Sequence, residues 1–148
     1  MKPDRAADPY IKLPSMSHSP ENTTSANKVL IAEDDPMFRR VLAAAISRIG
    51  VQTETVSNGD EAYERIQRGG IGFLVLDYQM PICSGIELLE RMATGKQNKH
   101  DLPPTILCTA KGFEIDGPAL RERFGLVAIL HKPFSATQLG KLISENLR

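Results

Sequence analysis

The sequence predicts an α/β fold in which helices wind doubly around a five-stranded parallel sheet, and three observations carry that prediction. Five short strand-like runs alternate with segments of helical period, four of the runs are almost wholly apolar, and the intervening segments open with helix-start signals rather than hairpin turns. The four apolar runs also end on polar residues of different chemical type. Val29 to Ala32 ends on Glu33-Asp34-Asp35, Phe73 to Leu76 on Asp77, Ile106 to Cys108 on Thr109, and Val127 to Leu130 on His131-Lys132.

The first run, Val29-Leu30-Ile31-Ala32, has the unbroken apolar character of a strand covered on both faces. Asp35-Pro36 then places a cap residue before a proline at the first helical position, and Phe38, Val41, Leu42, Ala45, Ile46 and Ile49 follow on one helical face. In the second strand Val51, Thr53 and Thr55 alternate with Gln52, Glu54 and Val56, a more polar pattern suited to a sheet edge. Asn58 with Glu61, Ser84 with Glu87, and Ser135 with Gln138 have capping-box or related spacing, so further helices start near 59, 85 and 136. Phe73 to Leu76, Thr105 to Cys108 and Leu126 to Leu130 repeat the buried type of strand. Between Thr109 and Leu126 the pattern is weakest: Gly112, Gly117 and Pro118 interrupt it, leaving a short helix over Pro118 to Phe124 after an irregular loop.

Residues 1–27 read differently. Pro3, Pro9, Pro14 and Pro20 are spread among Ser, Thr, Asn and charged residues without a sustained period, the composition of a disordered arm or linker. The remainder, 28–148, forms one domain. The chain has 148 residues, with 18 Lys plus Arg against 18 Asp plus Glu, so net charge points neither to nucleic acid nor to an anionic membrane. Cys83 and Cys108 lack metal-ligand or CxxC spacing and read as free thiols in a reducing compartment, with Cys108 in the core. No stretch has the length of a membrane span and the amino terminus lacks a secretion signal, so a cytoplasmic location is expected. His131 reads as an exposed neighbour of Lys132, and His18 and His100 as surface residues.

Parallel strands in such a sheet share one carboxyl edge, and ligands bind in the crevice outside it. The four polar ends therefore meet in one pocket. Several carboxylates, a hydroxyl and an ammonium are the inventory for one magnesium ion and one phosphoryl group.

These residues resemble the receiver domain of two-component response regulators over about 28–147. The resemblance rests on Glu33-Asp34-Asp35 after the first strand, Asp77 followed by Met80-Pro81 and Gly85, Thr109-Ala110 after the fourth strand, and Lys132-Pro133-Phe134 after the fifth. It implies a flavodoxin-like (βα)5 fold with strand order 2-1-3-4-5, and phosphorylation of Asp77 by a histidine kinase or histidine phosphotransfer protein with Mg2+ as cofactor. In the same way it implies a cis Lys132–Pro133 bond and an acid pair in which Asp34 ligates the metal directly and Glu33 acts through water, while Asp35 looks like a helix cap. The remaining metal ligands are then Asp77 and the backbone carbonyl of Gln79. Lys132 pairs with Asp77 at rest and with the phosphoryl group afterwards, and Thr109 donates its hydroxyl. Gln79 and Lys111 flank the phosphoryl site and set the lifetime of the phosphorylated form. The family's switch places an aromatic three positions before the lysine; here Ile129 stands there, so a smaller aliphatic shift or the use of Phe113 replaces it. Signalling would proceed through a protein partner, and a phosphorylation-dependent dimer fits the same scheme.

Each motif also has a plainer reading: an acidic helix cap for Glu33-Asp34-Asp35, a strand-end turn for Asp77, a surface lysine for Lys132. Only their joint placement at strand ends favours chemistry. A phosphatase of the haloacid dehalogenase type needs an aspartate where Gln79 stands, and a flavin-binding flavodoxin would have its phosphate repelled by Glu33-Asp34-Asp35. The harder rival is a degenerate receiver acting as a phosphorylation-independent binding module, which keeps the fold but normally loses an acid, the acceptor or the lysine. The chain ends at Arg148, directly after the last predicted helix, so the output is either protein contact, onward transfer of phosphate, or the work of a longer protein.

Overall fold

Lys28 to Ala32 lies inside the sheet, paired on one side with Thr53–Val56 and on the other with Ile71–Asp77. This is seen in a computed structural model that describes residues 27–95, 102–110 and 114–147. The strands are β1 (Lys28–Ala32), β2 (Thr53–Val56), β3 (Ile71–Asp77), β4 (Thr105–Thr109) and β5 (Ala128–His131). All neighbouring pairs are parallel, in the order β2-β1-β3-β4-β5. The polar β2 lies at an edge, as its alternation predicts.

Five helices connect and follow the strands: α1 (Pro36–Ser47), α2 (Gly59–Gln67), α3 (Gly85–Thr94), α4 (Gly117–Phe124) and α5 (Ala136–Asn146). They divide between the two faces of the sheet. Leu42 and Ile46 of α1 and Leu139 and Ile143 of α5 pack with Val29, Ile31, Phe73, Val75, Ile106, Cys108 and Leu130. On the other face Ala62 of α2, Leu88, Leu89 and Met92 of α3 and Phe124 of α4 pack with Leu30, Leu74, Leu76 and Leu107. Alternate residues of each central strand thus serve opposite cores, which is why these strands read as continuous apolar runs.

The helix starts are local and specific. Asp35 accepts from the N–H groups of Met37 and Phe38, Asn58 from Glu61, and Ser135 from Gln138. Ser84 and Glu87 form the full reciprocal capping box. Glu61 does not complete such a box with Asn58; its carboxylate accepts instead from the N–H and hydroxyl of Ser57. Asp116 caps α4 by accepting from the Ala119 N–H at 3.0 Å. Pro118 is thereby an early residue of that helix and not an interruption, since the first-turn N–H groups have no helical partner anyway.

The α1 face departs from its periodic reading at two places. Val41 is 53% exposed and Ile49, past the helix end at Ser47, is 38% exposed, whereas Leu42, Ala45 and Ile46 are buried. Val41 precedes Leu42 by one residue, about 100° around the helix, and so falls on the solvent side of the seam.

Candidate functional site

Side-chain alternation sets the composition of the site before any distance is measured. Positions 29 and 31 of β1, 73 and 75 of β3 and 130 of β5 face the α1–α5 core. Continuing each series by one step of two brings in Glu33, Asp77 and Lys132, all at the carboxyl edge. The lysine ammonium lies 3.1 Å from Glu33 Oε1 and 3.2 Å from Asp77 Oδ1. Asp34 approaches from the loop after β1, and carboxylate oxygens of Glu33, Asp34 and Asp77 lie within 4.8 Å of one another. Glu33 and Asp77 are buried while Asp34 is exposed, so the cluster opens to solvent on the Asp34 side.

The backbone fixes these groups in place. Glu33 donates its N–H to the Val56 carbonyl, its own carbonyl accepts from Arg39 Nη1 at 2.7 Å, and its Oε2 accepts from the Asp35 N–H. Tyr78, directly after Asp77, donates its N–H to the Cys108 carbonyl at 2.7 Å, and Gly85 donates back to the Tyr78 carbonyl. Lys132 donates its N–H to the Thr109 carbonyl at 2.8 Å, and the Lys132–Pro133 bond is cis. Ile82, in the loop that follows Asp77, has φ +70° and is 75% exposed, a conformation rare for a β-branched residue.

Electrostatics follow from burial and crowding. Burial holds the Asp77 carboxyl above the usual range; Lys132 works against that shift and the neighbouring Asp34 adds to it. Glu33 is also raised, chiefly by burial, against the Asp35 N–H bond and with a further push from Asp77. For Lys132, burial disfavours the ammonium, but its hydrogen bond to Glu33 and the charge of Asp77 outweigh that and the net shift is upward. Among the described residues three carboxylates gather here around the one Lys132 ammonium, which contacts Glu33 and Asp77, so negative charge is in excess. An all-oxygen donor set that is both crowded and open on one side suits a hard divalent cation that keeps several waters.

The other residues singled out from the sequence are placed as follows. Thr109 is fully buried at the end of β4, opposite His131 in register. Ile129 is half-buried and packs against the core of the α2–α4 face, on the opposite side of the sheet from the lysine series. Gln79 is exposed in the loop after β3, two residues past Asp77. Asp35 is the α1 cap, both of whose bonds go to that helix's backbone. Lys111 and Phe113 lie outside the described residues. Two neighbours of the site are absent from the sequence reading. Phe38, read there only as a core position, presents its ring face 4.6 Å from Lys132 Nζ, and Arg39 binds the Glu33 carbonyl. The apolar period marks Phe38 as inward-facing but says nothing of what it meets.

The fold and the cluster together define a class: a doubly wound sheet with an acidic pocket and a lysine at its carboxyl edge. The family model for the response regulator receiver domain matches residues 29–144, and the chain belongs to that family. Among its relatives, the hybrid signal transduction histidine kinase K of Dictyostelium discoideum is 31% identical over 121 residues, covering 78% of this chain and 10% of that protein. The transcriptional regulatory protein SrrA of Staphylococcus aureus is 30% identical over 123 residues, covering 83% of this chain and 48% of that protein. This chain therefore spans about half of one relative and a tenth of the other. In structure it is similar to the receiver domain of Francisella response regulator 1452, with a TM-score of 0.69 and 25% identity over 80% of this chain and 94% of that one. It also shares the fold of Vibrio cholerae chemotaxis protein CheY4, with a TM-score of 0.70 and 24% identity over 82% and 98% of the two chains. Among the described residues no helix is long and apolar enough to cross a membrane.

Proposed function

We propose that this receiver domain accepts a phosphoryl group on Asp77 from the phosphohistidine of a histidine kinase or histidine phosphotransfer protein, and that the modification alters a surface read by a protein partner. A single observation carries the reading: Lys132 contacts the buried Asp77 carboxylate inside an all-oxygen acidic cluster open to solvent. Mg2+ would be held by Asp34, Asp77 and the Gln79 carbonyl, with Glu33 acting through water. When bound it offsets the repulsion between an anionic nucleophile and an anionic phosphoryl group.

The chain's own groups do the rest. One Asp77 carboxylate oxygen attacks phosphorus, an O–P bond forms, and the donor's P–N bond breaks with its electron pair returning to the imidazole nitrogen. Lys132 remains beside the new acyl phosphate as a fixed positive charge, and the Thr109 hydroxyl donates to a phosphoryl oxygen. Gln79, beside the acceptor and exposed, together with Lys111 governs the approach of the hydrolytic water. The domain is a phosphoacceptor that assists its own phosphorylation and dephosphorylation, and a phosphorylation-dependent dimer is compatible with this role.

Incubation with a small phosphodonor and MgCl2, followed by intact mass measurement, tests the reading. The expected product carries one phosphoryl group, and Asp77→Ala abolishes it. No adduct overturns the reading in favour of a degenerate receiver that binds partners without phosphorylation, and an adduct that persists in Asp77→Ala overturns Asp77 as the acceptor.

A further inference from the structure

Lys132 is held on two sides by carboxylates and on a third by a ring. Its Nζ stands 4.6 Å from the centroid of Phe38, within the range at which the negative face of an aromatic ring attracts an ammonium. Phe38 in turn meets Phe134 edge to face, with centroids 5.8 Å apart and ring planes at 73°. Phe38 lies in the first turns of α1, and Phe134 directly precedes Ser135, the cap of α5. Both rings pack on the α1–α5 core. The site thus has an aromatic pair on the face opposite Ile129.

We propose that Phe38 is the positioning residue for Lys132, and that the Phe38–Phe134 pair couples the place of the lysine ammonium to the starts of α1 and α5. The inference rests on the phosphoacceptor reading for its functional part, because only there does the lysine change partners.

A lysine side chain has a flexible four-carbon stem and loses much rotamer freedom when its head is fixed. Glu33 and Asp77 each draw the ammonium, but neither limits rotation of the methylene stem. A ring packed against the ammonium narrows that freedom and keeps the head group between the two carboxylates. When a phosphoryl group on Asp77 attracts the ammonium, the contact with Phe38 alters. Phe134, which meets the Phe38 ring edge to face, is the next group in the path.

Side-chain NMR of the unphosphorylated protein tests the positioning directly. The Lys132 ε-methylene protons, assigned by their loss in Lys132→Ala, are expected upfield of the other lysines through the ring current of Phe38. Phe38→Leu should remove that displacement and Phe38→Tyr should keep it. Phosphorylation by a small phosphodonor, which needs no docking surface, should be about 2- to 6-fold slower in Phe38→Leu, with Phe38→Tyr near the wild-type rate. Matched urea midpoints identify variants that are folded. Unchanged Lys132 shifts in Phe38→Leu overturn the positioning role, and so does a wild-type phosphorylation rate in that variant. Failure of the wild-type protein to form any adduct overturns the phosphoacceptor reading instead, while the NMR comparison still decides whether Phe38 positions the lysine.

Discussion

A Cβ placed on Gly85 would collide with the carbonyl oxygen of Asp77. The first residue of α3 and the last of β3 are therefore in backbone contact, and the glycine exists to permit it. Gly85→Ala is expected to push the helix start and the strand end apart, at a cost of about 1–3 kcal/mol. Gly140→Ala is the comparison: its Cβ would meet Ile49 Cγ2 at 3.4 Å, an adjustable contact inside a helix that alanine favours. Urea denaturation should show a clear loss for the first and little or none for the second. Equal midpoints would remove the close approach as a constraint on the position of Asp77.

Divalent cation binding should appear as stability. A ligand that binds only the folded state stabilises it by mass action, about 2.7 kcal/mol at a hundred times its dissociation constant. MgCl2 is expected to raise the melting temperature of the wild-type domain near neutral pH and to leave Asp34→Ala unmoved, because Asp34 is the exposed carboxylate of the cluster. A thermal shift of the same size in both proteins would place the cation elsewhere.

Away from the site, Glu54 at the sheet edge is bound by Arg65 and by Lys28. Their hydrogen bonds, Arg65 first, pull its carboxyl from the ordinary 4.5 down to about 2. The folded value lies below the unfolded one, so this contribution is complete above about pH 4.5 and is lost as pH falls toward 2. Solvent screening at this partly exposed position limits it to about 1 kcal/mol. Urea midpoints recorded over that pH range should fall less steeply in Glu54→Gln than in wild type. Parallel curves would count against the network.

Burial pushes the Cys108 thiol up to about 12, so almost no thiolate exists at pH 8. Cys83 is also buried, though it lies nearer the surface beside Arg91, whose Nη1 is 3.6 Å from its sulfur. A thiol reagent at pH 8 is expected to leave Cys108 untouched in folded Cys83→Ser protein and to label it fully in denaturant. Rapid labelling of that variant under native conditions would mean that β4 opens locally.

The caps at Asp35, Asn58, Ser84 and Ser135 are legible in the sequence because each depends on residues within three positions: Pro36 directly after Asp35, and a partner three residues on for the other three. Asp116 escapes the same reading because Gly117-Pro118 imitates a break, although a proline in the first helical turn sacrifices no bond. Glu33, Asp34, Asp77 and Lys132 are readable as one cluster from their common position at strand ends, and the family pattern supplies the strand order. Phe38 is not readable as a neighbour of Lys132. Its helical period fixes only a direction, whereas the contact depends on the alternation of β1 and β5 across a sheet whose register no local pattern specifies. Exposure of Val41 illustrates the same limit, since the width of a buried seam is set by what packs against it.

Asp35 spends its carboxylate on two backbone N–H groups of α1, and this has a consequence for charge balance. That carboxylate keeps its charge but is turned to the helix start, and among the described residues the pocket itself holds three carboxylates and one ammonium, a formal charge of minus two. On the proposed reading a bound divalent cation brings it to neutrality. Phosphorylation then converts the Asp77 carboxylate into an uncharged acyl group bearing about two negative charges on phosphorus. The resting site is balanced and the modified one is not, by a single negative charge. That imbalance is the force available to draw in a hydroxyl or shift an ammonium, and a fourth free acid at position 35 would have obscured it.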